Sequence, residues 1–194
     1  GENMAQIHKD TRVRAYAGVG SRDTPTAVCD FMRGIAATLS ERGWMLRSGH
    51  ADGADISFEE GCTGTKEIYV PWNGFHKARH GYNDAYAVHC LKNHIEAIGI
   101  AQQTHPNWKA CSEAAQMLHT RNVYQILGMD LKTPVLMVIC WTKDGNATGG
   151  TGQAIRLAER QSIPVFNLFQ DDTVDKLQDF VFQVESTFST NQGT

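Results

Sequence analysis

The stretch Thr148–Arg156, T-G-G-T-G-Q-A-I-R, follows an almost wholly apolar run, Val135–Trp141, and leads directly into an amphipathic segment. A buried strand feeding a glycine-rich turn that opens a helix is a common solution for holding a phosphate. Glycines let the backbone approach the anion, and the free N–H groups of the helix start point at it. The reading predicts an α/β fold whose ligand is a nucleotide, a nucleotide-derived metabolite or nucleic acid.

Outward from this turn, strands and helices alternate. Arg12–Val19 reads as a first strand ending in Gly18-Val19-Gly20-Ser21. Thr24-Pro25 reads as an N-cap with proline at the first helical position. Val28, Phe31, Ile35 and Leu39 then recur at helical spacing, and Gly43 closes the helix. A second strand, Trp44–Ser48, runs into Gly49-His50-Ala51-Asp52-Gly53-Ala54-Asp55 and a short helix through Cys62. Glu67–Val70 is a third strand, stopped by Pro71. Trp72–Tyr82 mixes aromatics, glycines and basic residues without periodicity and reads as a loop. Asp84–Gln103 and Trp108–Leu127 read as helices broken by Thr104-His105-Pro106. Pro134–Trp141 is a fourth strand, apolar enough to be covered on both faces. The glycine turn and its helix to Arg160, a fifth strand Ile163–Leu168 and a terminal helix Thr173–Thr187 complete the series.

This alternation predicts a Rossmann-like, doubly wound, mostly parallel sheet in the order 3-2-1-4-5, flanked by helices. One domain spans residues 12–188, with a loop and helical insertion over 72–128. Residues 1–11 comprise a tag remnant, Gly1-Glu2-Asn3, and an N-terminal arm; residues 189–194 form a polar tail. In that order strands one and four adjoin at the switch point. The loops Gly18–Arg22, Ser48–Asp55 and Thr142–Gly152 are therefore expected to converge on one crevice.

Composition narrows the function classes. Of 194 residues, 41% are hydrophobic and 20% charged, as in ordinary globular domains. No apolar run approaches the roughly 20 residues that cross a bilayer, so no membrane association is expected. A formal net charge of −3 disfavours nucleic acid as a partner, without excluding a local basic groove. The five cysteines are odd in number and form no C-x-x-C pair, which suits free thiols in a reducing cytoplasm. His76 and His80 stand four apart but in a glycine-bracketed loop, so no metal is expected.

The quoted motifs resemble the SLOG superfamily of Rossmann-like proteins. It takes in DNA processing protein A (DprA), the Lonely Guy phosphoribohydrolases and molybdenum-cofactor carrier-like proteins. The DprA-like pattern is the nearest. Its G-S-R is similar to Gly20-Ser21-Arg22, and its S-G-x-A-x-G-x-D turn to Ser48–Asp55. Its R-N pair resembles Arg121-Asn122, and its later glycine turn Gly149-Gly150-Thr151-Gly152. The resemblance runs from Tyr16 to Leu168 and implies homo-oligomers, dimers or higher, paired through helices. Two departures matter. Lonely Guy enzymes carry G-G-x-G-T-x-x-E, whereas here Gln153 replaces the threonine and Arg156 stands at the glutamate position. The second is the insertion after the third strand.

Each candidate has two readings. Gly149, Gly150, Thr151, Gly152 and Gln153 either cradle a phosphate or simply make a tight turn. Arg22, beyond Gly18, Gly20 and Ser21, is placed for a bidentate phosphate contact. In the second loop, with Ser48, Gly49 and Gly53, Asp55 either bonds a ribose hydroxyl or caps the helix that starts there. Glu59 and Glu60 are the candidate catalytic acids or bases, or merely residues favoured by a helix start. Arg121 and Asn122 either latch the crevice or hold its loops. Trp72, Phe75 and Tyr82 either stack on a base or cover the sheet edge. Thr142 touches ligand, whereas Trp141 is core; His105-Pro106 and Trp108 make an interhelical turn.

The expected function is binding of a nucleotide or nucleotide-derived small molecule as sensor, carrier or sequestering protein, with no required cofactor. The alternatives are a nucleoside-monophosphate N-glycosidase and a DprA-like single-stranded DNA-binding module.

Overall fold

Six strands pair side by side in one wholly parallel sheet: β1 (Ala15–Gly18), β2 (Met45–Ser48), β3 (Lys66–Val70), β4 (Ala85–Ala87), β5 (Met137–Cys140) and β6 (Val165–Asn167). The computed structural model describes residues 14–192. The expected tag remnant and N-terminal arm, the start of the expected domain at 12 and 13 and the last two residues of the expected tail lie outside the described residues.

Alternation along the strands sorts side chains into two layers. Tyr16, Leu46, Met137 and Ile139 face α1 (Thr26–Glu41), α2 (Ala54–Gly61) and α6 (Thr173–Gln192), meeting Met32, Ala36, Phe58 and Leu177. Ala15, Ala17, Tyr69, Val138 and Cys140 face the other way. They pack on α3 (His94–Thr104), α4 (Glu113–Leu127) and α5 (Gly149–Arg160) through Ala97, Val123, Ile126 and Leu157. Among the described residues no helix is long and apolar enough to cross a membrane.

The sheet order is β4-β3-β2-β1-β5-β6, which corrects the expected 3-2-1-4-5. The five expected strands keep their relative order, and Ala85–Ala87, read as helical from sequence, adds a sixth at the edge. Three residues of A-Y-A carry too little pattern to separate strand from helix. Pairing decides the matter: Ile68, Tyr69 and Val70 align with Ala85, Tyr86 and Ala87. Asn83 and Asp84, both at positive φ (53° and 61°), turn the chain into that register. The segment expected as an insertion thus supplies a strand and the helix α4, which packs on β3.

Helix starts also differ from expectation. Pro25, not Thr24, is the N-cap of α1, and the Thr24 hydroxyl donates instead to Ser21 O at 2.6 Å. The expected helix from Trp108 is a single 3-10 turn, Trp108–Ala110, followed by α4. Ser112 caps α4 by accepting from the Ala115 N–H at 3.1 Å. At the other end of the chain, α6 runs past Thr187 to Gln192.

Candidate phosphate-binding crevice

The switch point lies between β1 and β5, whose chains leave the sheet toward opposite layers. Backbone bonds continue the pairing past the strand ends: Val19 N–H donates to Ile139 O at 3.0 Å and Ser21 N–H to Trp141 O at 3.2 Å. The β2 end is tied in by Ser48, whose buried hydroxyl donates to Gly18 O at 2.6 Å. Gly20 permits this convergence, since a Cβ there would stand 2.6 Å from Ala54 Cβ. Gly53, the N-cap of α2, has φ +83°, and a Cβ would meet Ser21 O at 2.7 Å. The loops Gly18–Arg22, Ser48–Asp55 and Thr142–Gly152 therefore share one edge of the sheet.

The start of α5 is open. Thr148, its N-cap, makes no side-chain cap bond; its hydroxyl donates to Asp144 Oδ1 at 2.9 Å. The first backbone N–H groups of a helix have no intrahelical acceptor, so those of Gly149, Gly150 and Thr151 are available to an anion. Gly149 and Gly150 are exposed, with nothing within 4 Å of the place a Cβ would take. Gly152 and Gln153, by contrast, are buried. Gln153 donates to Thr104 Oγ1 at 2.8 Å and accepts from Asn122 Nδ2 at 3.1 Å. Arg156 is half-buried and donates to Thr104 O at 3.2 Å and Ala147 O at 3.3 Å. Its charge braces the helix against α3 and the preceding loop.

Beneath the loops lie Asp55 and Arg121, exposed by only 4% and 6%. Asp55 is not the cap of α2 but sits within its first turn. It accepts from the Ala51 N–H at 3.4 Å and from the Gly20 backbone. Burial raises its pKa to about 6, against the lowering pull of the Arg121 charge and these backbone bonds. Arg121 Nη1 donates to Gly49 O and, at 3.4 Å, to Tyr69 O, while Nε donates to Asn122 Oδ1 at 3.0 Å. Burial lowers its pKa, with Asp55 acting the other way. Asn122 Nδ2 reaches Gly150 O at 3.1 Å, linking α4 to the glycine turn. Both residues lie within α4, as the expected helix through Leu127 implies.

The two candidate glutamates part company. Glu60 pairs with Arg33 of α1 at 2.8 Å on an exposed helix face. Glu59 is half-buried and lies 2.9 Å from His50 Nδ1. His50 is a residue that the sequence reading passed over. It occupies the variable position of the second loop at φ 61°, and its Nε2 lies 3.2 Å from His76 O. Its only sequence signal was a histidine between glycine turns. Thr142 is buried and locked to Asn167, which donates to its hydroxyl at 2.7 Å and accepts from its N–H at 3.3 Å. Arg22 is exposed, with no ion pair or hydrogen bond from its side chain to the described residues. Of the loop aromatics, Phe75 lies under the Arg121 guanidinium, 5.9 Å from ring centre to Cζ, and stands edge-on to Trp72 at 5.4 Å. Tyr82 is 70% exposed.

The sequence predicts no metal, yet the structure gathers His105, Cys111 and His119, each offering a donor atom within 4.8 Å of the others. The spacing H-x5-C-x7-H spans a loop and a helix and matches no short ligand motif.

No family model and no curated protein matches the chain. A solved structure of DNA processing protein A from Helicobacter pylori, described for its unique single-stranded DNA binding mode, is similar to it. The likeness has a TM-score of 0.51 at 16% identity and covers 88% of this chain and 74% of that one. It corrects the expectation that disfavoured nucleic acid as a partner. A protein of similar architecture binds single-stranded DNA, and a net charge summed over a whole surface does not describe one crevice. The chain has a DprA-like, Rossmann-like α/β fold.

Proposed function

We propose that the crevice binds a nucleotide or nucleotide-derived small molecule through its phosphate. The observation that carries this reading is the uncapped start of α5, with two exposed glycines at the switch point of the sheet. Arg22 supplies a mobile-length cation not engaged within the described residues, and Arg121 a buried one. In this reading Asp55, beside the Gly20 backbone, accepts from a ribose hydroxyl. The finer SLOG assignment rests on the same four motifs. Five cysteines without a disulfide suit a reducing compartment such as the cytoplasm.

A second reading takes the same phosphate sites as contacts to single-stranded DNA, and the likeness to DNA processing protein A favours it. Titration of the purified chain with labelled mononucleotides and with a labelled single-stranded oligonucleotide, at two salt concentrations, separates the two. Mononucleotide binding with shallow salt dependence supports the first reading. Binding confined to the oligonucleotide, weakening steeply with salt, supports the second. Absence of both overturns the phosphate assignment, and release of free base from nucleoside monophosphates would make the crevice an N-glycosidase site.

A further inference from the structure

The α3–α4 connection holds a side-chain cluster that the crevice does not use. His105 follows α3, Cys111 follows the Trp108–Ala110 turn, and His119 lies on α4. Cys111 Sγ stands 3.6 Å from His105 Nε2. Around a tetrahedral zinc, with sulfur at about 2.3 Å and nitrogen at about 2.0 Å, two such ligands stand roughly 3.5 Å apart. That edge is already at its working length. The His105 and His119 rings lie 4.5 Å apart, centre to centre. His119 is 9% exposed, and its Nδ1 is sealed from solvent without a hydrogen-bond partner among the described residues. Buried polar atoms are seldom left unanswered in native proteins, and a metal or ordered water is a usual answer.

We propose that His105, Cys111 and His119 form a zinc-class metal site, with two imidazoles and a thiolate on a tetrahedral divalent cation and the fourth position open to water. A mixed nitrogen and thiolate set selects zinc over magnesium or calcium, which take oxygen ligands. Binding displaces the Cys111 thiol proton to solvent. The resulting thiolate offsets the cation's charge near Arg121 and Arg156, which makes Cys111 the indispensable ligand. Coordination through His105 Nε2 places the ring proton on Nδ1. The Asn107 N–H, which now donates to Nδ1 at 3.0 Å, must then turn aside, and Asn107 sits in an exposed turn that can allow it. Arg121 and Asn122 lie two and three residues after His119 along α4. Metal loading therefore ties the end of α3 to the part of α4 that reaches the crevice.

The test uses the full chain, stripped with a chelator and titrated with Co2+ as a spectroscopic probe. The expected result is one Co2+ per chain, with a thiolate-to-metal charge-transfer band, strong tetrahedral d–d bands and displacement by Zn2+. Cys111→Ser should abolish the charge-transfer band, and His105→Asn should weaken Co2+ binding by more than about tenfold. Zn2+ should raise the Tm of the parent chain but not of Cys111→Ser. Because His119 is buried and its variants risk misfolding, the two half-buried positions decide the matter. Failure of the folded chain to bind Co2+, binding without a thiolate band, or a band that survives Cys111→Ser would each overturn the proposal.

Discussion

Asp55 and Arg121 are buried within electrostatic reach of each other beneath the crevice, yet they form no ion pair within 4.0 Å. Their hydrogen bonds go elsewhere: Asp55 accepts from the Ala51 and Gly20 backbone, and Arg121 donates to Gly49 O, to Tyr69 O in β3 and to the Asn122 side chain. The incomplete neutralisation leaves burial as the leading influence on the carboxyl, with a pKa raised from 3.8 to about 6. A carboxyl whose folded pKa lies above its unfolded value contributes stability in its protonated form. That contribution is complete below the unfolded value and is lost as pH rises through the folded one. Wild-type stability should therefore fall between about pH 4 and pH 7 by up to about 3 kcal/mol from this group alone. Asp55→Asn cannot titrate and should lack that part of the decline. Urea unfolding of both proteins across this range should show the difference shifting in favour of the variant as pH rises; a flat difference would refute the burial argument.

Arg22 should behave as a ligand contact and not as a structural residue. Its side chain is exposed and unengaged within the described residues, so Arg22→Ala should change unfolding free energy by no more than about 0.5 kcal/mol. Loss of a charge-assisted contact to phosphate should cost about 1.5–3 kcal/mol of binding, a factor of about ten or more. Calorimetric titration with the best-binding nucleotide, beside a thermal melt, measures both. Unchanged affinity would remove Arg22 from the site.

The parts legible in the sequence were those encoded locally. Strand β5 reads from its apolar run, and the Thr148–Gly152 turn from its glycines, because both signals occupy consecutive residues. The partners of α4 were not legible. Arg121 and Asn122 were visible as a pair, but their partners Gly49, Tyr69 and Gly150 are distant in sequence and meet them only through packing on the sheet. β4 failed for a similar reason: its three residues are strand because β3 offers a free edge. Arg156 shows the limit of motif comparison. Its position marked a missing glutamate, whereas its contacts to Thr104 O and Ala147 O show a brace for α5. Glu59 and Glu60 were indistinguishable as a pair and separate once His50 and Arg33 claim one each.

Asn122 should prove to be a tie between α4 and α5. Its amide nitrogen meets Gly150 O and Gln153 Oε1, and its oxygen accepts from Arg121 Nε and Gln125 Nε2. Truncation leaves buried donors and an acceptor unpaired, and each such group costs about 1–3 kcal/mol. Asn122→Ala should therefore destabilise the fold by about 2 kcal/mol or more, visible in urea unfolding. Hydrogen exchange should quicken at the start of α5 before it does in β1. Equal protection of the two segments in the variant would argue that Asn122 does not latch the turn.

Gly150 and Gly152 stand two residues apart and should respond oppositely to alanine. At Gly150 a methyl group meets nothing within 4 Å, and the residue lies in the first turn of α5. Alanine there should leave stability unchanged or raise it by up to about 1 kcal/mol, since glycine is the poorer helix former. The same methyl would stand where a phosphate must approach the N–H groups, so affinity should fall. At Gly152 a Cβ would lie 2.5 Å from Ala147 O, which is backbone and cannot swing aside. Gly152→Ala should therefore cost about 1–3 kcal/mol of stability through overpacking. Paired melting and binding measurements on the two variants separate the open wall of the crevice from its packed floor. A Gly150→Ala protein that binds nucleotide as tightly as the parent would place the phosphate elsewhere.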